Sequence, residues 1–320
     1  MQNWRHILVG VDLAAGDQLV AETPAADSLI AVRKGIELAA TIGAKLTFAA
    51  VLKIPVLSTE DIVEDSAEAS LRRAATDVLS GLVEQAHEQG VSAEYRLLSG
   101  RSWQALAAEA QRTRPDVVLV GVGSKTIAKR FIYGGTALKL VRKCPTPVWV
   151  VGPAEGHDPP TILVADDLSE VGMEAMRVAV SIAQVVHARL LVLHAVEFPL
   201  DHRLFRTGLP QSEIEAYRER VREDARQQVL ERLRETDYRT VGPGVQVHVK
   251  NGPPDVVIEA TLQEFDVDLL VIGTSRPGGI AGMLLGTTIE SLLPRIDCSL
   301  LAIKPDDFTG MSPPTSDSAT

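Results

Sequence analysis

The chain has 320 residues, is 45% hydrophobic and 23% charged, and carries a net charge of -10. At about 150 residues per domain this leaves room for two domains, each able to bury its own core. The acidic balance argues against non-specific nucleic-acid binding, which needs a basic face. No apolar run approaches the ~20 residues of a membrane span.

The chain passes from Met1 to His6 straight into an apolar run with no signal-peptide pattern, so a soluble cytoplasmic protein is expected, with neither membrane nor nucleic acid as partner. Short continuous apolar runs predict strands over residues 7–11, 46–52, 93–98, 117–121 and 148–151. Continuity rather than alternation is the mark of parallel strands covered on both faces. Pro and Gly crowd residues 152–160, as a linker would. A second set of strands is predicted over residues 162–165, 190–196, 245–249, 269–273 and 300–303. Between the second and third of these, Ile214, Tyr217, Val221, Ala225 and Val229 recur at helical spacing. Ser212, three residues before Glu215, reads as a capping box, and the Arg- and Glu-rich helix over 212–233 as a solvated face laced with ion pairs. The polar tail 306–320 reads as disordered.

The two sets are copies. Asp116 begins "DVVLVG" and Asp268 begins "DLLVIG", 152 residues apart, and Gly100/Gly252 and Gly134/Gly286 share that offset; Asp12 and Asp167, which follow the opening strands, are 155 apart. The fold class is therefore α/β, a doubly wound parallel sheet made twice, with domains over 1–152 and 157–305 and the tail over 306–320. The last predicted strand of each half is apolar and lacks protective charges, so the two halves are expected to pair or pack through these strands as an intrachain pseudo-dimer. The two cysteines, Cys144 and Cys298, are too few for a disulfide framework and read as small buried hydrophobes.

In a doubly wound sheet ligands sit beyond the carboxyl ends of the strands, where the strand order reverses. In the second half Asp167, Gly273 and the run Gly286-Thr287-Thr288 converge there. Glycines let backbone approach a phosphate, a helix N-terminus supplies free N–H groups, and Asp167 can accept from a ribose or a base edge. The same residues also read as plain turn-and-cap chemistry, with Thr287 and Glu290 as a capping pair and Asp167 as a helix cap. Both readings stand on the residues alone. The histidines show no metal-ligand spacing, His194 reads as a satisfied histidine at a strand end, and no Gly-x-Ser-x-Gly elbow is present, so no catalytic residue and no metal site are expected.

The sequence resembles the universal stress protein family, most closely its E-type tandem members. The likeness rests on "ILVGVD" and "LVRKCPTPVWVV" in the first half and on "HVKNGPPDVVIE" and "DLLVIGTSRPGGIAGMLLGTT" in the second. It implies the fold argued above, a general stress-response role, and binding of ATP or AMP through an Asp after strand one and a loop of pattern Gly-x-x-Gly, nine residues, Gly-Ser/Thr. In the second half Asp167, Gly273, Gly286 and Thr287 match, with Thr288 beside them, while Arg276 stands at the second glycine. The resemblance adds Ala195 and Ile272 as walls of the base pocket. In the first half Asp12, Gly121 and Gly134 match, but Ser124 replaces the second glycine and Gly135 stands where a hydroxyl is usual, with Thr136 following. That half is read as degenerate. Arg276 serves the phosphates if its planar fork turns toward them and blocks the site if it crosses it. Two alternatives accompany the nucleotide reading. One is an interaction scaffold or apolar-ligand binder, compatible with the apolar stretch 280–285. The other is a weak ATPase, for which the loop 273–286 offers no carboxylate or Lys. A homodimer of the tandem chain is compatible with all three, and protein partners are not written in the sequence.

Overall fold

A computed structural model of the chain describes residues 4–14, 19–52, 62–123, 126–127, 130–131, 133–152, 157–198, 210–274, 286–305 and 308. The described residues of 4–152 form one compact unit, and those of 157–274 and 286–305 form another. Apart from Phe308, the tail 306–320 lies outside the described residues.

The first unit runs β1 (His6–Val11), α1 (Ala26–Ile42), β2 (Lys45–Leu52), α2 (Ile62–Glu88), β3 (Ala93–Ser99), α3 (Ser102–Thr113), β4 (Val117–Gly121), the short pair β5 (Thr126–Ile127) and β6 (Arg130–Phe131), α4 (Gly135–Lys143) and β7 (Val148–Val151). Its sheet has the order β3-β2-β1-β4-β7, parallel throughout. The second unit runs β8 (Thr161–Ala165), α5 (Glu170–Val185), β9 (Arg189–Val196), α6 (Gln211–Arg234), β10 (Val245–Asn251), α7 (Pro254–Glu264), β11 (Leu269–Gly273), α8 (Thr287–Leu292) and β12 (Ser299–Ile303). Its parallel order, β10-β9-β8-β11-β12, is the same. The continuous apolar runs became the strands because helices cover both faces: Ile7, Leu8 and Val9 in β1 and Leu163 and Val164 in β8 are sealed from solvent.

One aspartate per unit secures the entry to the sheet. Asp116 Oδ2 accepts from the Arg5 and His6 amides at 2.7 and 2.9 Å, and Asp268 Oδ2 accepts from the Thr161 amide at 2.7 Å. These are the aspartates that open the two repeated motifs. The helix pair flanking the site is clamped differently in each unit. In the first, Lys143 Nζ on α4 lies 4.9 Å from the Trp103 ring centroid on α3. In the second, the residues 152 positions on are Arg295 and Asp255, paired at 2.6 Å, with Glu259 joining at 2.8 Å.

Three features differ from the sequence reading. The antiparallel β5–β6 pair was not anticipated, since two-residue strands leave no periodicity. Ser212 caps nothing: α6 starts one residue earlier, and the Pro210 carbonyl receives the Glu213 and Ile214 amides at 2.9 and 3.3 Å, so Ser212 sits exposed inside the first turn. Ile214, Ala225 and Val229 are buried, as their spacing required, and Arg232, three residues after Val229, lies on that same stripe and turns inward, so the reading of every Arg and Glu of α6 as a solvated face fails there. Cys144 and Cys298 are both buried and neither is in a disulfide, and burial pushes the Cys298 thiol up to about 12, which keeps it protonated.

Two histidines make stability depend on pH. His6 lies below its ordinary pKa of 6.5 through burial first and the Lys45 ammonium second, and His248 is lowered by burial and then by Lys250. The unfolded chain takes up these protons at about 6.5 while the folded chain resists them, so the unfolded state binds more protons in that window. The stabilisation is fully present above about pH 6.5 and is lost as pH falls through the depressed folded values. Urea midpoints are expected to decline from pH 7.5 to pH 5.5, and the double variant His6→Gln, His248→Gln is expected to flatten that decline.

Candidate functional site

In each unit the strand order reverses once, between β1 and β4 and between β8 and β11. Connections on the two sides of that point diverge and leave a crevice at the carboxyl ends of the strands.

In the first unit the crevice is a cavity of about 600 Å³. Asp12, Val51, Val120, Gly121, Gly134, Gly135 and Thr136 line it, and Asp27, Ser28 and Ser102 complete its polar wall. Asp12 follows β1 and is held on both sides: its amide donates to Ser28 Oγ at 2.9 Å, and its Oδ1 accepts from the Ala14 amide at 3.1 Å. Gly121 ends β4, and a Cβ there would overlap the Asp27 carbonyl in the first turn of α1. Gly123 has φ +99°, and a Cβ on it would come within 2.8 Å of Gly134 Cα. The Gly134 amide donates to the Val122 carbonyl at 2.5 Å, which folds the loop back to the mouth of the cavity. Gly134 is the N-cap of α4 with no side-chain cap, and the first turn holds no acid, so no side chain from that turn covers its N–H groups.

In the second unit Asp167 follows β8, and its Oδ1 accepts from the Ser169 amide at 3.0 Å and from Ser169 Oγ at 2.5 Å. Ser169 is the N-cap of α5 and accepts from the Gly172 amide at 3.1 Å. The cap is therefore Ser169 and not Asp167, which the sequence offered as the capping residue; Asp167 only orients it. Gly273, at the end of β11, meets the same first turn: a Cβ there would lie 3.0 Å from Val171 Cγ1. Ile272 precedes it in β11, and Ala195 lies on β9. Thr287 is not a cap. Gly286 is the N-cap of α8, without a side-chain hydrogen bond, and Thr287 and Thr288 are the first two helical residues. Arg276 and the apolar stretch 280–285 lie outside the described residues. Asp167 and Gly273 are therefore brought together around the first turn of α5, at positions equivalent to Asp12 and Gly121.

Sequence reasoning missed three residues. Asp27 and Ser28 in the first turn of α1 belong to no spacing motif. Arg232 was assigned to the solvated face of α6, but its Nε and Nη2 each lie 3.0 Å from the buried Asp166 carboxylate, and Nη2 and Nη1 donate to the Ser169 and Leu168 carbonyls at 2.6 and 3.2 Å. Burial raises the Asp166 pKa, and the guanidinium opposes that shift. The pair braces the loop that carries Asp167, and Leu168 within it has φ +62°. His194 Nδ1 lies 2.7 Å from the Asp166 carbonyl, a satisfied histidine as expected. Among the described residues no three His, Cys, Asp or Glu side chains are grouped to hold a metal, and no helix is long and apolar enough to cross a membrane.

The fold defines a doubly wound α/β protein made in duplicate, with the strand order reversing once in each unit. The model of the universal stress protein family matches residues 3–152 and again 160–304, and the chain belongs to that family as a tandem member. It is similar along nearly its whole length to E-type relatives. Universal stress protein E of Escherichia coli K12 is 26% identical over 310 residues, 91% of this chain and 95% of that protein. Universal stress protein E of Photorhabdus laumondii is 23% identical over 322 residues, 96% of this chain and 97% of that protein. Among solved structures, a universal stress protein from Archaeoglobus fulgidus shares the fold at 18% identity and TM-score 0.63, over 95% of this chain and 99% of that one. A protein of unknown function from Pseudomonas aeruginosa PAO1 shares it at 24% identity and TM-score 0.63, over 95% and 93%.

The Asp166–Arg232 brace has a measurable signature. Arg232→Ala leaves a buried carboxylate unpaired and is expected to cost about 3–5 kcal/mol in urea unfolding. The position equivalent to Asp166 in the first unit is Val11, so Asp166→Val with Arg232→Met replaces the pair by apolar groups and is expected to recover most of that loss.

Proposed function

We propose that the chain is a cytoplasmic universal stress protein that binds an adenine nucleotide, ATP or AMP, and acts through that bound state without turning over substrate. The observation that carries this reading is the cavity of about 600 Å³ at the switch point of the first unit, a size within the ~300–1,000 Å³ of ordinary ligand sites. Its wall holds the parts a nucleotide needs. The Asp12 carboxylate accepts from a ribose or base edge, Val51 and Val120 supply apolar contact, and the glycines bring backbone and the uncapped start of α4 close enough for a phosphate. The first half, whose motif departs further from the family pattern, thus carries the nucleotide in this reading, because what a phosphate requires of the loop is close backbone approach. Asp167, Ala195, Ile272, Gly273, Gly286, Thr287 and Thr288 form the equivalent candidate in the second unit, where Asp167 would have to share Ser169 with a ligand.

Gly135 allows a direct test. A Cβ there meets nothing within 4 Å, so a side chain can leave Gly135 without a clash at its first atom, and Gly135→Phe is expected to occupy the cavity that Gly135 lines. Calorimetric titration with ATP and AMP is expected to show binding to the wild type and at least a tenfold loss in Gly135→Phe at unchanged thermal midpoint, about 1.4 kcal/mol or more. Thr287→Phe, its counterpart in the second unit, reports that unit separately. Absence of heat and of any thermal shift at millimolar nucleotide would remove the nucleotide reading.

A further inference from the structure

The third residue of the helix after the opening strand differs between the units: it is Ser28 in α1 and Gly172 in α5. The two positions are equivalent. Each follows the residue that closes against the glycine ending the fourth strand, Asp27 at Gly121 and Val171 at Gly273. Each also faces the amide of the aspartate after the first strand. Ser28 Oγ accepts from the Asp12 amide at 2.9 Å, and a Cβ on Gly172 would lie 3.3 Å from the Asp167 nitrogen.

That same Cβ would lie 2.6 Å from Asp167 Oδ1, closer than unbonded heavy atoms approach. The Asp167 carboxylate therefore rests where only a glycine leaves room. The Ser169 amide and hydroxyl hold it there, and the positive end of α5 favours it. In the first unit the Ser28 side chain fills this place, and Ser28 is only 5% exposed. Ala14 stands where Ser169 does and has no hydroxyl to add. Asp12 Oδ1 still accepts from the amide two residues on, that of Ala14, but it has no space to settle onto the first turn of its helix. We propose that Ser28 is a positioning residue: its Cβ keeps the Asp12 carboxylate off the start of α1 and turned to the crevice. The consequence for ligand affinity rests on the nucleotide reading above.

The test is calorimetric titration of the full chain with adenosine, AMP and ATP, together with a ligand-free crystal structure of Ser28→Gly. Ser28→Gly is expected to bind AMP about tenfold more weakly than the wild type, because the helix end draws in the freed carboxylate. Ser28→Ala restores the Cβ but not the hydroxyl and is expected to return affinity to within about threefold of the wild type. In an Asp12→Ala background, Ser28→Gly is expected to cost less than about twofold more, which a general weakening of α1 would not produce. The crystal structure is expected to show the Asp12 carboxylate over the first turn of α1, in the space the side chain left. An unmoved carboxylate overturns the inference, as does undiminished affinity in Ser28→Gly, an equal loss in Ser28→Ala, or an equal loss in the Asp12→Ala background. Failure of the wild type to bind all three compounds overturns the nucleotide reading, and the ligand-free structure then decides the placement of Asp12 by itself.

Discussion

The arrangement depends on one steric contact made twice: the first turn of a helix pressed against the glycine that ends the fourth sheet strand of its unit. At Gly121 there is no room for a side chain, because the Asp27 carbonyl occupies the space, and at Gly273 a Cβ would touch Val171. This contact sets how far the loop after the first strand and the loop after the fourth can separate. It therefore sets the width of the crevice at the point where strand order reverses. A larger residue would push the helix outward and lose the register between the Asp12 or Asp167 loop and the glycine loop facing it.

Around that constant contact the two units have diverged, and the differences lie in the residues that brace the site. The helix pair beside the crevice is held by Lys143 over Trp103 in one unit and by Arg295 with Asp255 and Glu259 in the other. The same geometric demand has been met by a cation over a ring and by an ion-pair network. The loop after the first strand is tied by Ser28 to the Asp12 amide in the first unit, and by Arg232 to Asp166 and two carbonyls in the second. The second solution is the stiffer, since a planar guanidinium there holds a carboxylate and two carbonyls at once. Among the described residues the Asp12 loop has no such brace, and its unit is the one in which the cavity is described.

Much of the fold was legible because burial on both faces demands continuous apolar runs. The expected strands over 117–121, 148–151 and 269–273 match β4, β7 and β11 residue for residue, and the others differ by one or two residues at an end. Caps were less legible. Ser212 and Thr287 have capping residue types at capping spacing, yet Pro210 and Gly286 hold those positions, because the path of the preceding chain decides which residue leaves the helix. Sequence also supplied the family's contact positions, Asp167, Gly273, Gly286 and Thr287, but not the use of Asp167. Its bonds to Ser169 depend on a turn two residues long and on the helix that follows.

By itself, then, the sequence determined the duplication, the parallel strands of each unit and the glycines that the crevice needs, since each leaves a continuous apolar run or a repeated spacing along the chain. Only the tertiary structure decided that Asp27 and Ser28 join the cavity wall, that Arg232, standing on the buried stripe of its helix, finds Asp166, and that Asp167 orients the Ser169 cap. Those contacts span separations from two residues to 66, and their partners are chosen by how helices settle on the sheet, a choice made by packing and written in no local pattern.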